Sequence, residues 1–431
     1  MHMKQRQTPL RPPGLAIGVT TALLAMLNPL TAGSASATPP TLQFQTYQGP
    51  AIVKVWQKQF ASLAAGTNGF KVAISTEPTG VQAERLLTQA AASQLPDVAM
   101  ISGRWVPALA SRGLLVPLTQ QFLGKDLPLN NFQPSLLGAY SYKGVLYGLP
   151  TDFDIQVLFY NKNLFNASHV GLPNPNWTWD NYREAAKELT KKTASGQQYG
   201  SDVSGDDAYV SLSAIAMSYG GYMINPTTGT PDLTSGGGLK ALQLYADLYG
   251  VDKSNVPPGN SNDNIGNGNI AMGIYGPWAA WYLLKAAKFQ WGMTTLPRGT
   301  SAPVTSAWGS AMVVFKSSKQ KADALKFLDY FFSKKLQTQR ASDWAWTPPT
   351  KTLLSSNSFA LSDMMNLTAA QKHTILRAAA ESRTPVFIPQ DADLEQDLGS
   401  VLSAFTVGRT NARAAAKTLT SQWQQLINTP M

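Results

Sequence analysis

Tryptophans in polar or Gly/Pro-rich surroundings are the residues of this chain whose chemistry is most suggestive. Eleven tryptophans occur among 431 residues. Indole rings stack against the C–H faces of a pyranose, and neighbouring carboxylates, amides and arginines bind its hydroxyl groups in directional pairs. The combination predicts a carbohydrate-binding site, whereas Trp56, on one face of a predicted helix, is better explained as a core residue. The candidate rings are Trp105, Trp278, Trp308, Trp344 and Trp346.

Motifs for catalysis, metal binding or phosphate binding are absent from the sequence. Of the three histidines, His2 lies near the N-terminus, and His169 and His373 are far apart without metal-ligand spacing. There is no H-E-x-x-H, no Walker phosphate loop, no G-x-S-x-G and no G-x-G-x-x-G after a predicted strand. We therefore expect no metal site, no catalytic residues and no cofactor.

Pairs of carboxylates leave one enzymatic alternative open. A glycosidase needs only two Asp or Glu residues, and these need not be close in sequence. Asp152 with Asp154, or Asp206 with Asp207, could supply them. Hydrogen bonding to a ligand, or capping the start of a helix, explains the same residues without catalysis, and we favour that interpretation.

The composition excludes several classes of protein. Hydrophobic residues make up 44% of the chain, enough for a full interior, and the length suits two lobes better than one core. The net charge is +10, but only 14% of residues are charged and Lys and Arg form no continuous run. We therefore expect no nucleic-acid partner. The absence of cysteine excludes disulfides, thiol chemistry and a lipid-attachment cysteine.

The N-terminal residues have the pattern of an export signal. Lys4, Arg6 and Arg11 precede an uncharged, largely apolar stretch at residues 14–30, and Ala35-Ser36-Ala37 provides an A-x-A cleavage site. We predict that residues 1–37 are removed after Ala37. The mature chain would then be free in a periplasm or secreted.

The segment after this signal alternates between predicted strands and helices. Strands are expected at residues 42–47, 71–75 and 98–101, with helices at residues 50–65 and 81–92 between them. Such βαβαβ order predicts a parallel sheet with helices on both faces and ligands near the carboxyl ends of the strands. Further strands are predicted at residues 157–160, 270–274 and 312–315, and further helices at residues 180–191, 236–249, 319–332, 369–380 and 412–427.

Five short motifs point to a known family. In order they are Gln94-Leu95-Pro96-Asp97-Val98; Gly148-Leu149-Pro150 with LFYNKNLF at residues 158–165; Trp179-Asp180-Asn181-Tyr182 with Ala185-Ala186-Lys187; GNIAM at residues 268–272 with Gly276-Pro277-Trp278; and Pro297-Arg298-Gly299. With the helix at residues 319–333, this series resembles the extracellular solute-binding protein family 1, which includes maltose-binding and other sugar-binding proteins of ABC importers. The resemblance covers nearly all of the chain after residue 37.

The resemblance implies an α/β fold of the periplasmic-binding-protein type, in which hinge crossings join two lobes and the ligand lies in the cleft between them. Carried onto this chain, crossings are expected near residues 151–153, 308–311 and 346–350. The N-lobe would then contain residues 38–151 and 311–347, and the C-lobe residues 152–310 and 348–431.

The resemblance also implies ligand-binding residues. Trp278 matches the family's stacking tryptophan, and Asp154 matches an acidic ligand contact six residues before Tyr160. Asp207 and Tyr209 lie where maltose binders have an acidic residue and a stacking tyrosine. The other expected contacts are Arg104 and Trp105 after the third strand, Tyr47 and Gln48 at the end of the first, Trp308 and Trp346.

One departure from the family pattern argues against maltose as the ligand. Maltose binders have a further tryptophan in the segment that follows residues 388–390, where this chain has Asp391-Ala392-Asp393-Leu394-Glu395. Trp308, Trp344 or Trp346 could supply a different stacking wall.

The function that the resemblance implies is capture of a mono- or oligosaccharide by closure of the cleft. A monomeric, non-enzymatic chain would then deliver the sugar to the permease subunits of an ABC importer. Two alternatives stay open. A polyol or a glycerol phosphate could be the solute, and Arg104 or Arg298 turning into the cleft would favour an anionic one. An exported carbohydrate-active enzyme would require two carboxyl groups about 5–10 Å apart across the cleft.

Overall fold

The computed structural model describes residues 39–65, 69–78, 81–119, 123, 129–205, 207–258, 264–282, 284–285, 287–343, 347–355 and 367–429. The predicted export signal at residues 1–37 lies outside these ranges, as do Asp206, Trp344 and Trp346.

Strands of the described ranges form four sheets. In chain order the strands are β1 (Thr41–Thr46), β2 (Lys71–Thr76), β3 (Val98–Ser102), β4 (Ser141–Tyr142), β5 (Val145–Leu146), β6 (Leu149–Pro150), β7 (Asp154–Ile155), β8 (Val157–Asn161), β9 (Lys191–Thr193), β10 (Gly196–Asp202), β11 (Ile270–Tyr275), β12 (Trp291–Thr294), β13 (Thr305–Trp308), β14 (Ser310–Val314) and β15 (Ser382–Arg383).

Helices cover these sheets. They are α1 (Pro50–Phe60), α2 (Gln82–Ala91), α3 (Val106–Ser111), α4 (Pro134–Ala139), α5 (Lys162–Ala167), α6 (Trp179–Leu189), α7 (Ala208–Ser218), α8 (Gly236–Ala246), α9 (Ala279–Tyr282), α10 (Lys321–Phe331), α11 (Lys334–Asp343), α12 (Lys351–Leu354), α13 (Ala369–Ala380), α14 (Asp391–Thr406) and α15 (Ala412–Asn428). Within the described ranges, no helix has both the length and the apolar character needed to cross a membrane.

The first sheet has the strand order β2-β1-β3-β14-β6. As the βαβαβ pattern predicts, β1 pairs in parallel with both β2 and β3, while β14 is antiparallel to β3 and to β6. Pro50 opens α1, and Ile52, Trp56 and Phe60 recur every four residues, so that one face of the helix is buried against the sheet. Phe327 of α10 completes this core through edge contact with Phe60 at 5.0 Å between ring centroids.

The second sheet has the order β12-β8-β11-β10-β9, and a three-stranded sheet has the order β15-β13-β7. β10 and β11 are parallel, whereas β8 is antiparallel to β11 and to β12. Thr178 and Asn181 form a capping box at the start of α6, which buries Trp179 and Tyr182 against this part of the fold.

Within the described ranges, two short segments join the first sheet to the three-stranded sheet. Residues 151–153 lead from β6 to β7, and Gly309 lies between β13 and β14. Thr151 N donates to Ser310 O at 2.9 Å, and Phe153 N donates to Thr347 O at 2.8 Å. The first of the three segments expected to be hinge crossings is thus hydrogen-bonded to each of the other two.

Most elements predicted from periodicity are confirmed, with ends shifted by a few residues. Eight of the described helices were not predicted, and the two longest of them are α7 and α14. In α7 ten of eleven residues are buried, so the sequence shows no alternation between an apolar and a polar face. In α14 the first turn contains the acidic residues Asp391 and Asp393, and the apolar face of buried residues begins only at Leu394.

Candidate ligand-binding site

Arg104 lies at the carboxyl end of β3, in the single 3-10 turn Gly103–Trp105 that precedes α3. This is the edge of the first sheet at which a parallel arrangement is expected to bind ligands. Gly103 is required there because a Cβ at that position would overlap the ring of Tyr140. The turn thereby directs the Arg104 side chain away from the first sheet.

Three carboxylates surround the Arg104 guanidinium. Nε donates to Asp391 Oδ2 at 2.5 Å, and Nη1 contacts both Asp207 Oδ2 and Glu395 Oε1. Arg104 Cζ also lies 5.5 Å from the centroid of the Trp105 ring and 5.8 Å from that of Phe387. These contacts connect the end of β3 to α7, which packs on β13 of the three-stranded sheet, and to α14, which packs on α7 and α8.

Two helix N-termini hold the carboxylates in place. Asp207 caps α7, because its Oδ1 accepts a hydrogen bond from Val210 N at 3.0 Å. Asp391 is the first residue of α14 and Glu395 follows one turn later, so the two side chains project from the same face. Neither Asp391 nor Glu395 was predicted as a site residue. Their i, i+4 spacing at a helix start was the signal that could have suggested them.

The cluster contains more negative than positive groups and is poorly solvated. The side chains of Arg104 and Asp391 are 6% and 0% exposed, against 39% for Glu395. Burial raises the pKa of Asp391 to about 6 and that of Glu395 to about 7, although Arg104 opposes both shifts. Burial alone would lower the pKa of Arg104, but the three carboxylates raise it above its ordinary value, so the guanidinium stays charged.

Trp278 lies near the carboxyl end of β11, after the turn Gly276-Pro277. Its ring is half-buried and meets the ring of Tyr275 edge-on, with centroids 6.1 Å apart and planes at 86°. A Cβ at Gly276 would overlap Asp154 Oδ1 and lie 2.5 Å from Trp278 Nε1, so these two predicted site residues are side by side. Asp154 also pairs across β7 and β13 with Trp308, which is buried.

Tyr47 reaches the hinge segments. Its hydroxyl contacts Ser310 Oγ, and Ser310 N donates to Asp152 Oδ1 at 2.6 Å. Gly309 has φ +149°, and a Cβ there would overlap Asp152 Oδ1, so the turn between β13 and β14 needs glycine. The neighbouring Gln48 is half-buried, and its backbone N donates to Thr46 Oγ1 at 3.2 Å.

Asp152 has a buried cationic neighbour in Arg340. Burial lowers the pKa of Arg340 to about 9, and Asp152 opposes this shift. Burial likewise raises the pKa of Asp152, against the opposing effects of the Ser310 hydrogen bonds and of Arg340. The guanidinium carbon of Arg340 lies 4.2 Å from the Phe331 centroid, which fixes it beneath the first sheet.

The remaining predicted residues are less exposed or lie outside the described ranges. Tyr209 is 1% exposed, its hydroxyl donates to Val386 O at 2.5 Å, and its ring packs against Phe387 and Trp423. Trp346 is not in the part of the chain that the structure describes. The structure therefore groups Arg104, Trp105 and Asp207 in one cluster, and Trp278, Asp154 and Trp308 in another. Tyr47 contacts Ser310, in a segment expected to be a hinge crossing.

Sequence comparison shows the family of this chain. The sequence model of the bacterial extracellular solute-binding protein family matches residues 45–338. The chain belongs to this family. A putative binding protein of Brucella abortus (strain 2308) is 27% identical over 353 residues, which cover 78% of this chain and 81% of that protein. The arabinooligosaccharide-binding protein of Bacillus subtilis (strain 168) is 29% identical over 258 residues, covering 54% of this chain and 57% of that protein.

Solved structures of other solute-binding proteins share the fold. An ABC substrate-binding protein from Listeria monocytogenes, in complex with cycloalternan, has a TM-score of 0.79 at 20% identity, covering 90% of this chain and 99% of that one. A solute-binding protein of an ABC transporter from Thermotoga lettingae, bound with α-D-tagatose, has a TM-score of 0.76 at 23% identity, covering 90% and 100%. The expected two-lobed periplasmic-binding-protein fold is confirmed.

Proposed function

We propose that this solute-binding protein captures a sugar outside the cytoplasm and delivers it to the permease of an ABC importer. The observation that carries the proposal is the family match over residues 45–338, together with relatives that are named for the oligosaccharides they bind. Residues 1–37 would direct export, and the mature chain would act as a monomer without a cofactor. The proposed lobes are residues 38–151 with 311–347, and residues 152–310 with 348–431.

The Trp278 cluster and the Arg104 cluster could contact opposite faces of a bound sugar. Trp278 offers a half-buried ring face, and Asp154 beside it offers carboxylate oxygens for hydroxyl groups. Across the proposed cleft, Trp105 and Arg104 supply a second ring and N–H donors. Tyr47, Gln48, Tyr209, Trp308 and Trp346 remain proposed contacts of the same site.

The charges around Arg104 argue against an anionic solute. Arg104 would attract a phosphate only if its charge were uncompensated, but Asp207, Asp391 and Glu395 already contact it. The other candidate, Arg298, is directed elsewhere, because its Nη2 donates to Asn176 Oδ1 at 2.5 Å. A neutral sugar or polyol is therefore a better candidate than a glycerol phosphate.

Capture would follow from closure of the lobes. Residues 151–153 are hydrogen-bonded both to Ser310 and to Thr347, which supports a hinge whose segments bend together. Arg104 and its carboxylates lie on elements of opposite lobes, so their ion pairs would form only in the closed arrangement. A sugar shifts the population toward that arrangement only if it contacts both lobes there.

Binding and turnover are tested together by a thermal-shift screen of residues 38–431. The panel contains glucose, maltotriose, lactose, arabinotriose, mannitol, ribitol and glycerol 3-phosphate. A ligand present at 100 times its Kd stabilises the folded state by about 2.7 kcal/mol, so a true ligand raises the melting temperature and non-ligands leave it unchanged. We expect a shift with a neutral sugar, and chromatography should recover that sugar intact. A shift with glycerol 3-phosphate alone, or hydrolysis of the sugar, would contradict the proposal.

A further inference from the structure

Asp202 and Tyr275 meet at the carboxyl ends of two neighbouring strands. They are the last residues of β10 and β11, which run in parallel with Asp202 opposite Gly273. The Tyr275 hydroxyl donates to Asp202 Oδ2. Tyr275 is 2% exposed and Asp202 is 9% exposed. The hydrogen bond is therefore shielded from water.

Asp202 is held among tyrosines. Burial raises the pKa of Asp202 to about 6, and the hydrogen bond from Tyr275 opposes that shift. The nearby Tyr182 and Tyr249 direct their hydroxyls to Ser201 and Ser204 instead. Tyr275 is thus the tyrosine that donates to this carboxylate, and its hydroxyl position is fixed by that bond.

The Tyr275 ring in turn contacts Trp278. The two rings are perpendicular, at 86°, with centroids 6.1 Å apart, which is a favourable edge-to-face arrangement. Between them Gly276 and Pro277 make a tight turn, in which Ala279 N donates to Gly276 O at 3.1 Å. The orientation of the Trp278 indole therefore depends on where the Tyr275 ring is held.

Glycines pack closely around both rings. A Cβ at Gly205 would lie 2.5 Å from Tyr275 Cζ, and a Cβ at Gly273 would lie 2.5 Å from Tyr275 Cε2. A Cβ at Gly276 would likewise lie 2.5 Å from Trp278 Nε1. Because contacts this close exist only without a Cβ, the backbone confines the Tyr275 ring at two glycines and the Trp278 ring at one.

We propose that Asp202 and Tyr275 are positioning residues that hold the Trp278 ring in its sugar-stacking orientation. Neither need touch the solute. The proposal rests on the proposed function for its effect on affinity, but the ring orientation itself can be measured without any ligand.

The ligand-free experiment uses the mature chain labelled with 5-fluorotryptophan. The 19F resonance of Trp278 is assigned as the signal that disappears in Trp278→Phe. We expect Tyr275→Phe and Asp202→Ala to shift or broaden this resonance, and Asp202→Asn, whose amide oxygen can still accept from Tyr275, to leave it close to that of the unchanged protein. Tyr249→Phe is the matched control, because it removes a buried hydroxyl that bonds to Ser204. An unchanged Trp278 resonance in Tyr275→Phe would overturn the proposal.

Affinity is then measured in a double-mutant cycle, with the tightest binder among glucose, maltotriose, lactose and arabinotriose. We expect Tyr275→Phe to weaken binding about 3- to 10-fold in the otherwise unchanged protein. In the Trp278→Ala background it should have no further effect on the Kd, because the effects of two substitutions are not additive when one residue acts through the other. Equal weakening in both backgrounds would show a general structural effect and would refute positioning. If none of the four sugars binds, the proposed function fails while the 19F result still decides the ring orientation.

Discussion

Replacing Arg104 by alanine should destabilise the protein strongly, and by an amount that depends on pH. The substitution leaves Asp207, Asp391 and Glu395 together without their cation, and Asp391 is fully buried. Removing one partner of a buried ion pair costs about 3–5 kcal/mol. The half-exposed Glu395 adds little to this figure because solvent screens its charge. We therefore expect a loss of about 3–5 kcal/mol in the free energy of unfolding at pH 8.

The same loss should shrink at low pH. With Arg104 present, the pKa values of Asp391 and Glu395 are already raised to about 6 and about 7, and without the guanidinium they rise further. At pH 5 both carboxyls of the variant are protonated, so the cost falls to that of lost hydrogen bonds, about 1 kcal/mol. Urea unfolding followed by tryptophan fluorescence at pH 5 and pH 8 measures both values.

Arg183→Ala is the matched control for Arg104→Ala. Arg183 also pairs with two carboxylates, Asp247 and Asp252, but its side chain is 31% exposed. We expect a loss of about 1 kcal/mol there, because solvent screens the charges that remain. Equal losses for Arg104→Ala at pH 5 and pH 8, or a loss at pH 8 no larger than that of Arg183→Ala, would refute the assignment of Arg104 as the cation of a buried cluster.

Three further predictions concern the ring, the acidic groups and a helix. Trp278→Ala should weaken sugar binding by about 1–3 kcal/mol in calorimetric titration, whereas Trp291→Ala, at the edge of the second sheet, should leave the Kd unchanged. Asp391 and Asp202 have folded pKa values raised to about 6, so unfolding free energy should fall between pH 4 and pH 7; a rise would contradict both shifts. Gly399→Ala, on the exposed face of α14 with no atom within 4 Å of the new Cβ, should raise the free energy of unfolding by about 0.5–1 kcal/mol in urea unfolding, and a loss would show an unseen contact.

Local sequence patterns predicted the first three strands of the first sheet well, because these strands follow one another in sequence. β1, β2 and β3 are contiguous with their helices, and their apolar residues repeat with the period of each element. β14, the fourth strand in the order of the first sheet, was predicted as a strand. Its position beside β3, however, depends on pairing between segments that are distant in sequence. Resemblance to a family, and not periodicity, supplied the expectation that the chain crosses between lobes more than once.

The Arg104 cluster shows why the site was harder to predict than the fold. Arg104 was expected near a ligand, and Asp207 was expected as a separate contact, but their ion pair joins residues 103 positions apart. Asp391 and Glu395 come from α14, where their spacing specifies only a shared helix face. Nothing in a helix start of this kind indicates which cation will face it, because that is decided by how segments distant in sequence pack together.

The same cluster connects specificity to closure. An open cleft would expose one guanidinium on one lobe and three carboxylates on the other, and closure without a solute satisfies Arg104 by ion pairs with Asp391, Asp207 and Glu395. A solute that enters must replace part of this attraction with contacts of its own, or it cannot favour the closed state. Hydroxyl groups can do so, since each accepts from N–H and donates to a carboxylate. An anion could satisfy only the arginine and would be repelled by the acids, so the proposed cleft, with these groups paired across it, would select for neutral, hydroxyl-rich solutes.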